Sequence, residues 1–300
     1  MTMHDAAWAQ HPLLASRRRE FLDAPIHALT MAETLAIADE AMAAHRPLHH
    51  VVVNVAKLVN MRKNAELHDD VITADLINVD GKGVLWGARL CGVSLPERVT
   101  GVDVMINVLA LCAEKGYRPF LLGAEQHVLD AVESQLAIDH PNLVIAGKRN
   151  GYFKAEEEPE VVQAINASGA DCLFVAMPTP RKERFLKRYR DELKPSFVMG
   201  VGGSFDVYGG KVARAPKLVQ ALGMEWLFRV AQEPRRLWRR YYDTNTAYAW
   251  LLCREFWHRR IRGGRQTLGQ FQEKCVTVFR PKLRKTPSEI AQKQRARAFP

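Results

Sequence analysis

Asp80 is the residue best placed to do chemistry. It follows the apolar run Ala74–Asn78, read as a buried strand, and precedes Gly81, which supplies a turn. A carboxylate at a strand's carboxyl end can face a ligand crevice and accept a proton there. Spacing alone equally allows an Asp that only stabilises its own turn. Gly202 and Gly203 end a second run, Phe197–Val201; glycines there let backbone N–H groups approach a ligand closely. Asn54 and Gly123 close two further runs, and Asp206 follows the glycine pair, where it meets either a sugar hydroxyl or its own loop. Arg98 and Asp103 flank the Thr100-Gly101 corner, as a loop ion pair of little worth if exposed or as ligand groups.

The elements that position these residues alternate. Thr30-Met31-Ala32-Glu33 reads as a capping box opening a helix to about His45, because the Thr hydroxyl and Glu carboxylate satisfy each other's orphan N–H groups. Strand His49–Asn54 leads to a helix ending near Leu67, then strand Ala74–Asn78 and helices Val84–Leu90 and Val102–Lys115. Strand Arg118–Gly123, helix Glu125–Ile138, strand Leu143–Ala146 and a helix from Glu156 follow. Strand Cys172–Ala176, helix Arg181–Leu193 and strand Phe197–Val201 complete the series. Such alternation predicts an α/β fold, a mostly parallel Rossmann-like sheet covered by helices. Ligands of these sheets bind beyond the carboxyl ends of the strands, where Asn54, Asp80, Gly123, the Met177–Pro180 turn and Gly202-Gly203 gather. The helix from Glu125 points its N-terminus at the same edge, favourable for an anion. The pattern suggests a nucleotide or diphosphate ligand, yet neither GxGxxG nor GxxxxGK[ST] occurs, which argues against dehydrogenase and P-loop chemistry. The ten histidines have no metal-ligand spacing and there is no D-x-D pair, so no metal cofactor is expected.

Charge divides the chain at Gly223. Residues 1–222 carry a net −2 and residues 223–300 a net +12. Within Met224–Tyr242, apolar and aromatic residues alternate with Arg229, Arg235, Arg236, Arg239 and Arg240. The expected organisation is a loose arm (1–24), a catalytic domain (25–222), a basic aromatic helical appendage (223–262) and a mobile basic tail (263–300). Localised positive charge points to a polyanion, either a membrane surface or nucleic acid. No recognised nucleic-acid-binding motif accompanies it, so no nucleic-acid partner is expected. Aromatic rings among cations suit the interface of an anionic bilayer. The bland alternative is a solvated bundle face. No apolar run approaches the ~20 residues of a membrane span and no leader opens the chain. The five scattered cysteines read as buried free thiols of a reducing compartment.

Six blocks then occur in order: NVDG (Asn78–Gly81), PERVTGVD (Pro96–Asp103), FLLGAEQ (Phe120–Gln126), NGYF (Asn150–Phe153), GVGGSFDVYGGKVARAP (Gly200–Pro216) and the arginine-rich GMEWLFRVAQEPRRLWRRY (Gly223–Tyr241). Together they closely resemble the WecG/TagA/CpsF glycosyltransferases, over roughly residues 20–245. The resemblance implies an inverting, UDP-sugar-dependent hexosyltransferase working on a polyprenyl-diphosphate-linked acceptor in bacterial exopolysaccharide or surface polysaccharide assembly. It places the general base on Asp80 and the enzyme peripherally on the cytoplasmic face of the inner membrane. The departing diphosphate needs fixed positive partners, for which Gly202-Gly203 amides, Arg214 and Lys182 are candidates without a metal. The appendage's arginines are further candidates.

Two departures from the family pattern stand out. Val52-Val53-Asn54 lacks the usual hydroxyl residue two positions before Asn54, and Pro178-Thr179-Pro180-Arg181-Lys182-Glu183 has Lys182 where glutamine is usual. Both positions are expected to line the site beside Asn54 and Glu183, so donor or acceptor preference is expected to shift. A catalytically altered homologue and a basic nucleic-acid-binding protein are the alternatives. A homo-oligomer is compatible with the sequence.

Overall fold

The computed structural model describes residues 8–278, with side chains described through His258 except that of Arg236. Six strands form one parallel sheet: β3 (Leu48–Val53), β4 (Leu76–Val79), β5 (Pro119–Gly123), β6 (Gly147–Arg149), β7 (Cys172–Ala176) and β8 (Phe197–Gly200). Their order is β4-β3-β8-β7-β5-β6. Both faces are buried, and strand side chains alternate between them. Leu121 and Phe174 pack with the helices Met31–Ala43, Gly101–Lys115 and Gln126–Asp139 on one side. Leu122 and Val175 pack with Glu158–Ala167 and Arg181–Arg188 on the other. The α/β class and parallel sheet expected from alternation are therefore what the chain forms.

Three local expectations differ. The helix expected to reach Leu67 is two helices, Val55–Lys63 and Ala65–Ile72. Asn64 breaks it by adopting an extended backbone and accepting the Leu67 N–H on its side chain at 3.0 Å. The sixth strand lies at Gly147–Arg149 instead of Leu143–Ala146. Gly147 is paired with Phe120 of β5, and a Cβ there would sit 2.7 Å from the Phe120 ring. The helix after β7 stops at Arg188, and Tyr189, buried, caps it as the chain turns back towards β8.

The residues expected to form a loose arm are folded from Trp8 onward. Helix Pro12–Arg17 leads into the antiparallel hairpin β1 (Arg18–Phe21) and β2 (Ala24–His27). Trp8, Leu14 and Phe21 are buried, and His27 Nδ1 accepts the Ile77 N–H at 3.0 Å, tying the hairpin to β4. Burial holds the His27 pKa down to about 4, so the ring is neutral and free to accept.

Gly223 is likewise no boundary of packing. The first compact unit runs Met1–Cys253 and the second Arg254–Pro300. Helix Lys217–Ala221, helix Glu225–Gln232 and the start of helix Pro234–Val278 belong to the first. Within it Tyr248 and Leu251 pack with Val84, Ala88 and Cys91. Gly87 permits this approach, since a Cβ there would lie 2.2 Å from the Tyr248 hydroxyl. In the second unit the long helix continues to Val278, where a tail without periodicity was expected from residue 263. Residues 279–300 and the Arg236 side chain lie outside the described residues.

Candidate active site

The parallel pairing fixes the site's frame. Val53 of β3 is in register with Val79 of β4, so Asn54 and Asp80 leave the sheet side by side. The Asp80 N–H still bonds the Val53 carbonyl at 2.8 Å. On the far side of β3, strand β8 ends at Gly200 and turns through Val201–Gly203, while β7 ends at Ala176 before the Met177–Pro180 turn. The expected carboxyl-edge gathering of Asn54, Asp80, Gly123, Gly202 and Gly203 is what the topology produces.

Asp80 is half-buried. Gly81 carries φ +94°, a conformation costly for other residues, and starts the helix Lys82–Leu90 immediately after the carboxylate. The loop Leu95–Thr100 runs along the end of β4, with the Val99 N–H on the Val79 carbonyl at 3.1 Å. Thr100 caps the helix Gly101–Lys115, and the Gly101 N–H at the start of that helix favours the ionised Asp80 carboxylate. Desolvation raises the Asp80 pKa most, and the Glu225 carboxylate adds to the rise; Arg98, the Gly101 N–H and Arg229 oppose it. The balance leaves the pKa pushed up to about 6. Such a carboxylate is ionised at neutral pH and basic enough to take a proton.

Arg98 and Asp103 do not pair with each other. Arg98 is ion-paired with Glu225 at 2.8 Å, and Asp103 with Arg214. Two ion pairs therefore fasten the appendage helix Glu225–Gln232 and the Lys211–Pro216 loop beside Asp80. Arg229, which bears on the Asp80 charge, lies on that same appendage helix. Arg235, Arg239 and Arg240 are exposed on the next one.

A second polar cluster lies under the β8 turn. Glu183 Oε1 is 2.9 Å from Lys57 Nζ and 3.1 Å from Lys182 Nζ, and it accepts the Thr179 hydroxyl at 3.1 Å. All three charged residues are buried. Burial, and then repulsion from Lys57, lowers the Lys182 pKa to about 8. Burial alone would raise that of Glu183, but Lys57 and then Lys182 outweigh it and hold it near 2. Gly200 accommodates the Lys182 stem, whose Cδ and Cε would meet a Cβ at 2.7 Å. The position where the family usually carries glutamine is thus an ammonium within a buried Lys-Glu-Lys group.

Other expected ligand groups have structural partners. Asn54 Oδ1 accepts the Lys57 N–H at 2.9 Å, capping the helix Val55–Lys63. Gly123, at φ +113°, lies against the end of β7, where a Cβ would be 2.4 Å from the Ala176 carbonyl oxygen. Asp206 accepts the Val212 N–H on its backbone and lies 3.7 Å from Lys211. At the helix expected to attract an anion, Glu125 holds Lys211 at 2.9 Å. Asn78 of the NVDG block is buried in the sheet with His50 Nε2 2.8 Å from its Oδ1. Sequence reasoning missed Gly101, Glu225 and Lys57. For the first, the Thr100-Gly101 helix start carries a usable signal, because a capped N-terminus attracts a carboxylate. The other two depend on long-range packing.

Among the described residues no group of three or more His, Cys, Asp or Glu could hold a metal ion, and no helix is long and apolar enough to cross a membrane. Cys91, Cys112 and Cys172 are buried free thiols, whereas Cys253 is exposed. The sequence profile described as the glycosyl transferase WecG/TagA/CpsF family matches residues 19–262. That span includes the carboxyl-edge residues, both ion pairs beside Asp80 and the appendage through the described arginines, and the chain belongs to the WecG/TagA/CpsF family of glycosyl transferases.

Proposed function

We propose that the protein is an inverting transferase that moves a hexosyl group from a UDP-sugar to a polyprenyl-diphosphate-linked acceptor during bacterial surface polysaccharide or exopolysaccharide synthesis. The carrying observation is Asp80: a carboxylate at the carboxyl edge of the sheet, beside the end of β3, with its pKa pushed up to about 6.

The acceptor hydroxyl attacks the donor's anomeric carbon from the face opposite UDP. Asp80 takes the hydroxyl proton as the new C–O bond forms, the bond to the diphosphate oxygen breaks, and UDP leaves with the electron pair. Fixed cations near the leaving group stabilise its growing charge without reorganising. Arg214 and Lys182 are candidates, as are Arg98 and the appendage's Arg229, whose charges bear on Asp80. With such groups available, the reaction is proposed to proceed without a metal. The enzyme works peripherally at the cytoplasmic face of the inner membrane, held there by the appendage's cations and aromatic rings.

The experiment is a panel of UDP-sugars offered with a lipid-linked acceptor, with transfer read by mass spectrometry, with and without EDTA. One sugar is transferred, and chelation leaves the rate unchanged. Transfer by Asp80→Asn at more than about a third of the wild-type rate would make Asp80 structural, since loss of a general base costs ~10²–10⁴. Activity lost to EDTA and restored by Mg²⁺ or Mn²⁺ would overturn the metal-free step.

A further inference from the structure

The helix Lys82–Leu90, which begins two residues after Asp80, has two unlike faces. Val84, Gly87 and Ala88 are turned inward and covered by Tyr248 and Leu251. Trp86 and Leu90, four residues apart and so on one face, are 58% and 56% exposed. The outward face continues onto neighbouring chain. Lys82 Nζ bonds the Ala221 carbonyl, and a Cβ on Gly223 would lie 3.3 Å from the Trp86 ring. Leu218 and Leu222, also four apart, are 72% and 54% exposed, and Met224 is exposed beside them. Two exposed apolar residues on this helix face, Trp86 and Leu90, thus adjoin the segment 218–224, which carries the exposed Leu218, Leu222 and Met224 around Gly223. Patches of this kind mark interaction sites.

We propose that the outer face of the helix Lys82–Leu90, together with Leu218, Leu222 and Met224, is a second lipid-contacting surface, on which Trp86 and Leu90 enter the headgroup–acyl boundary of an anionic bilayer. It rests on the membrane-associated reading above and adds a surface to it. Charge chooses the occupant. Residues 81–96 contain Lys82 and Arg89 and no carboxylate, and residues 207–224 contain Lys211, Arg214 and Lys217 and no carboxylate. Lys211 and Arg214 are held by Glu125 and Asp103, and Lys82 by the Ala221 carbonyl, so the exposed Arg89 and Lys217 are the cations this face offers, with Glu97 and Glu225 at its margins. A second copy seated on this face would bring like charges together, whereas anionic headgroups pair with them. Tryptophan, with an apolar ring and one N–H donor, suits that boundary. The surface also lies where a lipid-borne acceptor is needed: Trp86 is about 6 Å along the helix from Lys82 at 1.5 Å per residue. An acceptor sugar on a lipid diphosphate held there lies within reach of Asp80.

The test uses the full chain and vesicles of equimolar phosphatidylglycerol and phosphatidylcholine. Trp86→Ser/Leu90→Ser is expected to bind them at least about tenfold more weakly, because each side chain loses its transfer to the apolar layer. Its circular dichroism and melting temperature stay those of the wild type, both positions being exposed. If that variant fails to fold, Leu218→Ser/Leu222→Ser tests the same surface. Independently, brominated lipid quenches wild-type tryptophan fluorescence more than that of Trp86→Phe. Equal vesicle binding with equal quenching overturns the inference and leaves the arginine appendage as the membrane contact. Absence of wild-type binding to any anionic vesicle overturns the membrane reading itself, and this surface with it. A change in oligomeric state by light scattering, without a change in vesicle binding, assigns the face to a second copy and overturns it too.

Discussion

Arg98 Nη1 lies 2.8 Å from Glu225 Oε1. This ion pair joins the loop beside Asp80 to the first appendage helix, and its two charges act on Asp80 in opposite directions. Glu225 raises the pKa of Asp80 and Arg98 lowers it. The appendage is therefore part of the electrostatic setting of the proposed base.

The pH–rate profile follows from that setting. The ionised form of Asp80 is the base, so turnover falls on the acid side with a limb near the pKa of about 6. Glu225→Gln removes a negative neighbour and releases Arg98 to face the carboxylate. Both changes favour ionisation, and the limb moves to lower pH. A limb that stays in place would show that Glu225 does not sense Asp80.

Asp80 also carries a cost in stability. Its carboxyl binds a proton more tightly in the folded chain, about 6 against the ordinary 3.8 of an aspartate. Between those values the folded state holds more protons, so stability is lost as pH rises through the window. About two units correspond to up to ~3 kcal/mol. Asp80→Asn, which has no charge to desolvate, is expected to melt higher than the wild type at pH 7.5 and nearly equally at pH 4, while losing transfer. A lower melting temperature at pH 7.5 would mean that the ionised carboxylate stabilises the fold.

The strand-ending polar residues were legible because short β-branched runs broken by Asn, Asp or Gly announce where each strand stops. Asp80 and Gly202 stand out on that signal alone. The partners that give them their properties were not. Glu225 is 145 residues from Asp80 in sequence, and nothing local marks Lys57 as the partner of Glu183. The hairpin β1–β2 was hidden by Arg17–Arg19, whose charges interrupt an apolar alternation and in fact face solvent. The mixed character of residues 234–253 concealed that one stripe of the long helix is core. Tyr248 and Leu251, three apart, are buried, while Arg239, Arg240 and Trp250 are exposed.

That stripe makes Gly87 a sensitive position. Gly87→Val places atoms where the Tyr248 hydroxyl and Leu252 side chain now sit, and the long helix has to move off the body. Overpacking of this kind costs about 1–3 kcal/mol. Urea unfolding should register that loss, and Tyr248 should become more accessible to quenchers. Ending the chain at Leu222 uncovers the same face of Val84, Ala88 and Cys91, so such a truncation is expected to aggregate. A monomeric truncation with unchanged stability would deny the packing role of Tyr248 and Leu251.

The Lys57-Glu183-Lys182 group predicts a different kind of loss. Glu183→Gln leaves two buried ammonium groups without their carboxylate, and breaking a buried pair from one side costs ~3–5 kcal/mol. The variant should regain part of that stability as pH rises from 6 to 9. Lys182, already lowered to about 8 by burial, sheds its proton more readily in the folded state than in the unfolded one, and stability rises with pH wherever the unfolded chain binds more protons. A pH-independent loss would point to packing alone.

The arginines of the long helix are open to a charge test that spares the fold. Arg235, Arg239 and Arg240 are exposed, whereas Leu237 and Thr244 on the same helix are buried. Replacing the three arginines with Glu keeps helix propensity and leaves the buried stripe untouched, so the melting temperature should change little. Each cation near an anionic surface contributes ~1 kcal/mol, and reversal turns each attraction into repulsion. The triple variant is therefore expected to lose vesicle binding and transfer to a lipid-linked acceptor, while its intrinsic fold persists. Wild-type binding should weaken as salt rises, because screening shortens the reach of exposed charges. Co-sedimentation with phosphatidylglycerol-containing vesicles across a salt series measures both effects. If wild type and variant bind alike at every salt concentration, these arginines do not hold the enzyme at the membrane, and the exposed side of this helix is a solvated face.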